Sequence, residues 1–274
     1  MKLNKEIHLI DLTIYLPKNN TLIISDVHMG YEEAMKGVML PRFQLKDTIK
    51  RLDAIFDLLE KQGKKVNQII ITGDLKHEFG KILDQEWRNV LKFVDYLIKK
   101  SGKEGKVVLI KGNHDVMLAP VLKKRALIDV DHVVLDNVLI CHGDVVKDIK
   151  EIERQEQLKN NKKNIKRSNI KTIIIGHEHC AISLRKGNRV ERYKSFLTGS
   201  YGNLINKTTL IVMPSFNLLT IGTDILHHEL LSPYLQGNLD NFKVYIVEDT
   251  EENHNSIGKI YDFGKLKQIR TLNE

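Results

Sequence analysis

The stretch VVLIKGNHDVM, residues 107–117, starts as an ordinary core strand and ends in polar chemistry. Its first four residues are apolar on both faces, β-branched in part and too few for a helix, as in a buried sheet strand. The chain then breaks into Gly112, Asn113, His114 and Asp115. A turn accounts for the glycine and the asparagine. It does not account for an imidazole and a carboxylate side by side where the strand leaves the core.

Four further segments repeat the pattern: TLIIS (21–25), QIIIT (68–72), NVLIC (137–141) and KTIII (171–175). Two stripes with a helical period lie among the first strands, one of Leu45, Ile49, Leu52, Phe56 and Leu59, the other of Leu83, Trp87, Val90, Leu91, Val94 and Ile98. The first half therefore alternates strand and helix. After residue 180 the segments AISLR, RVERYKSFL, TTLIVMP and FKVYIVED read as strands joined by turns such as KGN. A mixed sheet packed on a second sheet and flanked by helices accommodates both halves. Without a Pro- or Gly-rich linker or an internal repeat, residues 1–274 are expected to form a single α/β domain.

Each strand runs into groups that bind metals. TLIIS leads to Asp26 and His28, QIIIT to Gly73 and Asp74, KVVLI to GNHD, NVLIC to His142, and KTIII to Gly176, His177, Glu178 and His179. Singly these are weak signals, since a Gly-Asp after a strand is a common helix cap and an isolated histidine is commonly a bonded core residue. Five in order, at the edge where ligands bind open α/β sheets, have a common cause. Asp26, His28, Asp74, Asn113, His142, His177 and His179 supply two carboxylates, an amide oxygen and four imidazoles, enough for two ions if a carboxylate bridges them. Imidazoles favour Mn, Fe, Zn, Co or Ni over Mg or Ca. Two such ions can hold a hydroxide between them and clamp an in-line phosphoryl displacement. If the chain stays extended, Asp26/His28 and His177/His179 each present two ligands on one face. Glycines 30, 73, 112, 143 and 176 let the backbone turn beside them.

Composition sets the outer bounds. Hydrophobic residues make up 42% and charged residues 28%, as in a soluble globular protein. No apolar run approaches the roughly 18 residues of a membrane helix, and Glu6 and Asp11 interrupt the N-terminal stretch where a signal peptide would be apolar. Two cysteines, Cys141 and Cys180, suit a reducing cytoplasm. The net charge of +8 favours anionic partners, or reflects a lysine-rich composition. The basic stretch EQLKNNKKNIKRSNIK, 156–171, reads either as a solvated helix and loop or as a strip tracking a phosphate backbone, and its lack of aromatics gives no base-stacking platform there.

The set D-x-H, GD, GNHD, a histidine after the fourth strand and GH-x-H, spread over residues 26–179, resembles the signature of the calcineurin-like metallophosphoesterases. More narrowly, SDVHMGYEEAMKGVMLPRFQ, GDLKHEFG, GHEHCAISL and VMPSFNLLTIGTD resemble the SbcD-related phosphoesterases of archaeal type. The resemblance implies a four-layer αββα sandwich. It implies that Asp26, His28 and His179 hold one metal ion, that Asn113, His142 and His177 hold the other, and that Asp74 bridges them. Manganese is the first expectation for both. His114 is implied to assist the leaving group, Asp115 to orient that imidazole by accepting its other N–H, and His77 to stand near the phosphate. Pro214, Phe216 and Asn217 either border the site or shape a turn. The expected activity is a phosphodiesterase, a nuclease acting on DNA, with a small nucleotide or cyclic nucleotide as the alternative substrate and a non-catalytic scaffold as the second alternative. Expected partners are nucleic acid, a homodimer mate and DNA-repair or helicase proteins, with no membrane.

Overall fold

The five apolar segments all form strands, within one residue of their expected bounds. The computed structural model describes residues 1–34, 43–80, 83–125, 127–159, 170–202, 208–248 and 257–273. Among these, a first sheet contains β1 (His8–Ile10), β2 (Thr13–Leu16), β3 (Thr21–Ile24), β4 (Gln68–Thr72), β5 (Lys106–Ile110) and β6 (Ile128–Val130), neighbours in that order. The pairs β1–β2 and β2–β3 are antiparallel, while β3 to β6 run parallel. The parallel crossovers use α1 (Tyr31–Ala34), α2 (Gln44–Lys61), α3 (Asp84–Ser101) and α4 (Ala119–Arg125).

The second sheet holds β7 (His132–Leu135), β8 (Val138–Cys141), β9 (Thr172–Ile175), β10 (Cys180–Lys186), β11 (Arg189–Tyr201), β12 (Thr208–Val212) and β13 (Thr223–Asp224), in the order β13-β10-β11-β12-β9-β8-β7. Two more strands, β14 (Lys243–Glu248) and β15 (Lys259–Lys265), extend from β11. Its helices are α5 (Ile149–Lys159) and α6 (Leu266–Asn273). Alternation within the strands builds the layers. Val138, Ile140, Ile174, Phe196, Ile211, Tyr245 and Val247 join the core of the first sheet with α2 and α3. Their neighbours Leu139, Cys141, Ile173, Ile175, Leu197, Val244 and Ile246 turn the other way and pack with Ile152 of α5 and Leu266 and Ile269 of α6. The layers are thus helix, sheet, sheet, helix, as expected.

Local chemistry explains the helices. On α3, Val90, Phe93, Val94 and Leu97 are fully buried, each worth about 1.5–3 kcal/mol over exposure. Ile98, expected on that stripe, instead faces solvent. Glu86 accepts the N–H of Leu83 at 3.2 Å and so closes the first turn. On α2, Arg51 clamps Asp11 at the β1–β2 turn with bonds of 2.8 and 2.7 Å. Within each sheet β3, β4 and β5, and β8 and β9, run parallel, so their polar C-terminal ends gather along one edge. Of the basic stretch, residues 160–169 lie outside the described residues.

Candidate metal centre

The ligand pairs converge in a way the extended-strand expectation missed. β3 stops at Ile24, and Asp26 and His28 both take the left-handed conformation, at φ of +49° and +48°. Asp74 (+46°), His177 (+64°) and His179 (+51°) do the same. The pairs therefore meet because each D-x-H or H-x-H coils tightly beyond its strand, not because alternate residues share a pleat. Side-chain bonds hold these turns. The Asp26 carboxylate accepts the His177 N–H at 3.1 Å and the Ser25 hydroxyl, while its carbonyl accepts Ser215 Oγ at 2.7 Å. The His28 N–H donates to the Asp74 carbonyl at 2.9 Å, and the His114 N–H to Asp74 Oδ1 at 3.0 Å.

These bonds aim lone pairs at two points that share Asp74. In the first set His28 Nε2 lies 3.0 Å from His179 Nε2 and 3.6 Å from Asp74 Oδ2, and His179 Nε2 lies 3.5 Å from Asp26 Oδ1. In the second, His142 Nε2 lies 3.0 Å from Asn113 Oδ1, 3.1 Å from His177 Nδ1 and 3.5 Å from Asp74 Oδ2. His142 Nδ1 donates to the Thr72 carbonyl at 2.9 Å, so Nε2 is the nitrogen offered to an ion. Ligand atoms about 2.1 Å from one ion, at tetrahedral to octahedral angles, sit roughly 3.0–3.5 Å apart. The residues are arranged so that two ions would fit, one near Asp26, His28 and His179 and the other near Asn113, His142 and His177, with Asp74 within reach of both. A Cβ on Gly112 would fall 2.2 Å from Asp74 Oδ1 and one on Gly176 2.0 Å from Ser25 Oγ, so both need glycine for close approach.

Burial and charge compete among these side chains. Burial opposes ionisation of Asp26, but the imidazoles of His179, His142 and His28 outweigh it and hold its carboxyl well below the usual range. Asp74 is pushed up, by burial first and then by Asp26. Burial and His179 keep His28 well below an ordinary histidine, and burial and His142 bring His177 down to about 4. His142 is raised instead, because Asp26 and Asp74 together overcome its burial. Burial thus keeps His28 and His177 neutral beside the ionised Asp26 carboxylate, the form in which an imidazole can ligate a divalent cation.

His114 Nε2 stands 3.9 Å from Asp74 Oδ2, beside the centre and outside both ligand sets. Its Nδ1 donates to the carbonyl of His77. This corrects the role expected of Asp115, whose oxygens accept backbone N–H groups instead: Oδ1 from Leu75 at 2.9 Å and Lys76 at 3.4 Å, Oδ2 from Gly112 at 3.0 Å. Asp115 thus ties the loop of Asp74 to the loop of Asn113 and His114. Burial, and then the charge of Asp74, pushes it up to about 7. His77 Nδ1 lies 3.4 Å from His28 Nδ1, on the wall of the mouth. Glu178 turns away and accepts the Ser232 N–H at 2.9 Å. Cys180 is buried against Ser195, and burial pushes its thiol up to about 12, as suits a packed residue.

The mouth is a cavity of about 320 Å³ lined by His28, Tyr31, His77, His114, His179, Asn217 and the 220–223 turn. Asn217 thus borders the site, whereas Phe216 is buried beside the Ser25 carbonyl, which accepts its N–H at 2.7 Å. Sequence reasoning missed Tyr31 and the supporting residues Glu86 and Gln44. Glu86 Oε1 accepts the N–H groups of His77 and Glu78, both at 2.9 Å, and Gln44 donates to the His28 carbonyl at 2.8 Å. A glutamate in the first turn of α3 was the available signal for Glu86.

No curated protein sequence matches the chain. Among solved structures it is similar to a nuclease, MPE, from Pseudomonas putida, with 22% identity over 86% of this chain and 88% of that one and a TM-score of 0.52, which shows a shared fold. It also matches the phosphoesterase Yfce from E. coli, with 14% identity over 88% of this chain and 97% of that one and a TM-score of 0.33. The family model of the calcineurin-like phosphoesterases matches residues 20–200, which include every candidate ligand from Asp26 to His179, and the chain belongs to that family of metal-dependent phosphoesterases.

Proposed function

We propose that the chain is a two-metal phosphodiesterase and a nuclease, with DNA as its substrate and manganese as its metal. The observation that carries the reading is Asp74 Oδ2, 3.6 Å from His28 Nε2, 3.5 Å from His142 Nε2 and 3.9 Å from His114 Nε2. One oxygen joins the two ligand sets and stands beside His114, which belongs to neither. Asp26, His28, Asp74 and His179 would hold one ion, and Asp74, Asn113, His142 and His177 the other. Two divalent ions supply the positive charge that draws in a phosphate and makes a water nucleophilic at neutral pH.

The chain's own residues divide the remaining work. A carbonyl can only accept, so His114 carries hydrogen on Nδ1 toward His77, and the proton it exchanges sits on Nε2, at the centre. As an imidazolium, His114 protonates the departing oxygen of the ester. His77 and Tyr31 wall the approach for the phosphate. Two facts favour a polyanionic substrate over a small one. The net charge is +8, and the exposed Arg192 reaches the carbonyl of Gly222, a residue that lines the mouth, at 3.4 Å.

The test is a substrate panel on metal-reconstituted protein: bis-p-nitrophenyl phosphate, cyclic nucleotides, and single-stranded, duplex and hairpin DNA and RNA, each with Mn²⁺ and with chelator. DNA and the small diester should be cut with Mn²⁺ and neither with chelator. Turnover of the small diester or of cyclic nucleotides with every nucleic acid intact would refute the nuclease reading and leave the phosphodiesterase one.

A further inference from the structure

The wall of the mouth is aromatic, and it ends in a side chain that the metal chemistry does not use. Tyr31 lies against His77, ring centroids 4.7 Å apart. His77 stacks toward His114 at 5.8 Å with planes 20° apart, and His114 meets Phe79 at 4.1 Å. Tyr31, His77 and His114 line the cavity. Phe79 stands beyond them with 57% of its surface exposed. Water is a poor environment for so much aromatic surface. The loop that presents it is nonetheless fixed: Glu86 is fully buried and takes the N–H groups of both His77 and Glu78, and Lys76 Nζ donates to the Glu78 carbonyl.

We infer that Phe79 is a stacking platform for the nucleobase on the leaving-group side of the scissile phosphate. The inference rests on the nuclease reading and sharpens it. His114 gives its proton to the leaving oxygen, so a ring in contact with His114 lies beside whatever that oxygen is attached to. In a nucleic acid that is a nucleoside, whose flat base is the one part of the substrate matching an exposed phenyl face. A base lying on Phe79 has left its neighbours and its pairing partner. The preferred substrate is therefore a single strand or an opened end, not the interior of a duplex.

The experiment uses the full chain loaded with Mn²⁺ and short single-stranded DNA in two versions, identical except that one nucleotide is abasic. Products are mapped linkage by linkage, which shows which side leaves, and kcat/KM is compared at the linkage whose leaving nucleoside carries or lacks its base. The wild type should prefer the base by about five- to a hundredfold, the range over which a stacked base contributes to binding. In Phe79→Ala and Phe79→Leu that ratio should fall to within about twofold of unity, and Phe79→Trp should keep it. Each ratio is taken within one preparation, so a partly folded variant does not disturb it. A wild-type ratio near one overturns the inference. So does an alanine variant that slows both substrates equally and keeps the ratio, since Phe79 would then act only by packing on His114. If the small diester is turned over and no DNA is cut, the nuclease reading itself has failed and the platform falls with it.

Discussion

Asp115→Asn separates what Asp115 does here from what its place beside His114 suggests. The carboxylate is 4% exposed and accepts three backbone N–H groups, two on Oδ1 and one on Oδ2. An asparagine can keep its oxygen toward Leu75 and Lys76 only by turning its NH₂ onto the Gly112 N–H, where the present bond is 3.0 Å. Two buried donors then lack acceptors, at about 1–3 kcal/mol each. The expected loss is about 2–6 kcal/mol, which for a chain of this size lowers Tm by roughly 5–20 °C. Because Gly112 leads directly into Asn113, the ion held by Asn113, His142 and His177 should bind about 10–100-fold more weakly, the usual effect of losing a residue behind a ligand. The assays are thermal unfolding in chelator, which removes the metal from the comparison, and calorimetric titration with Mn²⁺. A variant whose metal-free Tm stays within about 1 °C of wild type while turnover collapses would refute this reasoning and return Asp115 to an orienting role on the imidazole.

Three further outcomes follow from the same geometry. His114→Ala should bind both ions, measured by elemental analysis, yet lose about 10²–10⁴-fold in turnover, and unchanged turnover would remove the acid role. In the metal-free protein Asp26 and Asp74 hold His142 above its ordinary value while burial holds His28 and His177 below theirs. An incoming ion therefore competes with a proton more strongly at His142 than at the other two, so metal affinity weakens as pH falls; calorimetry in buffers of different ionisation enthalpy should find fewer protons released on Mn²⁺ binding by His142→Asn than by wild type, and equal release would contradict the assignment. Gly176→Ala places a Cβ 2.0 Å from Ser25 Oγ and 2.4 Å from Asp26 Oδ2 and should empty the Asp26–His28–His179 site first, so a variant that still holds two ions with wild-type affinity would show that the loop can yield.

The strands that carry ligands were legible because they are buried on both faces, which leaves uninterrupted β-branched runs such as IIIT and TIII ending abruptly in polar residues. The N-terminal hairpin was not, because its short apolar stretches are broken by Asp11 and Thr13 and do not end abruptly in a polar motif as the ligand-bearing strands do. The ligands could be named because metal chemistry restricts residue type. Their supports could not, because Glu86, Gln44 and Asp115 act through backbone N–H and C=O groups, which any buried polar side chain can satisfy. Asp115 shows the difference most clearly: the family resemblance implied that it orients the imidazole of His114, whereas the fold sends its carboxylate back across two loops.

The left-handed turns explain why Asp and His recur in the motifs beyond their value as ligands. Five of the seven candidate ligands sit at φ between +46° and +64°, a region that costs an L-residue roughly 1–2 kcal/mol and in which Asp, Asn and His are enriched among non-glycine residues. An extended D-x-H would spread its two side chains along the strand; the coiled one brings both to a single ion. The strain is held by bonds that link one loop to the next: Asp26 to His177, His28 to Asp74, Asp74 to His114, Asp115 to both Leu75 and Gly112. These bonds couple the ends of β3, β4, β5 and β9, and His142, bonded through Nδ1 to the Thr72 carbonyl, joins the end of β8 to them. The coupled ends bring seven ligand side chains together, with ligand atoms 3.0–3.6 Å apart, an arrangement that a shared cation would stabilise. Ion binding therefore returns to the fold part of the stability that the strained turns withdraw, and metal loading and folding stability rise and fall together.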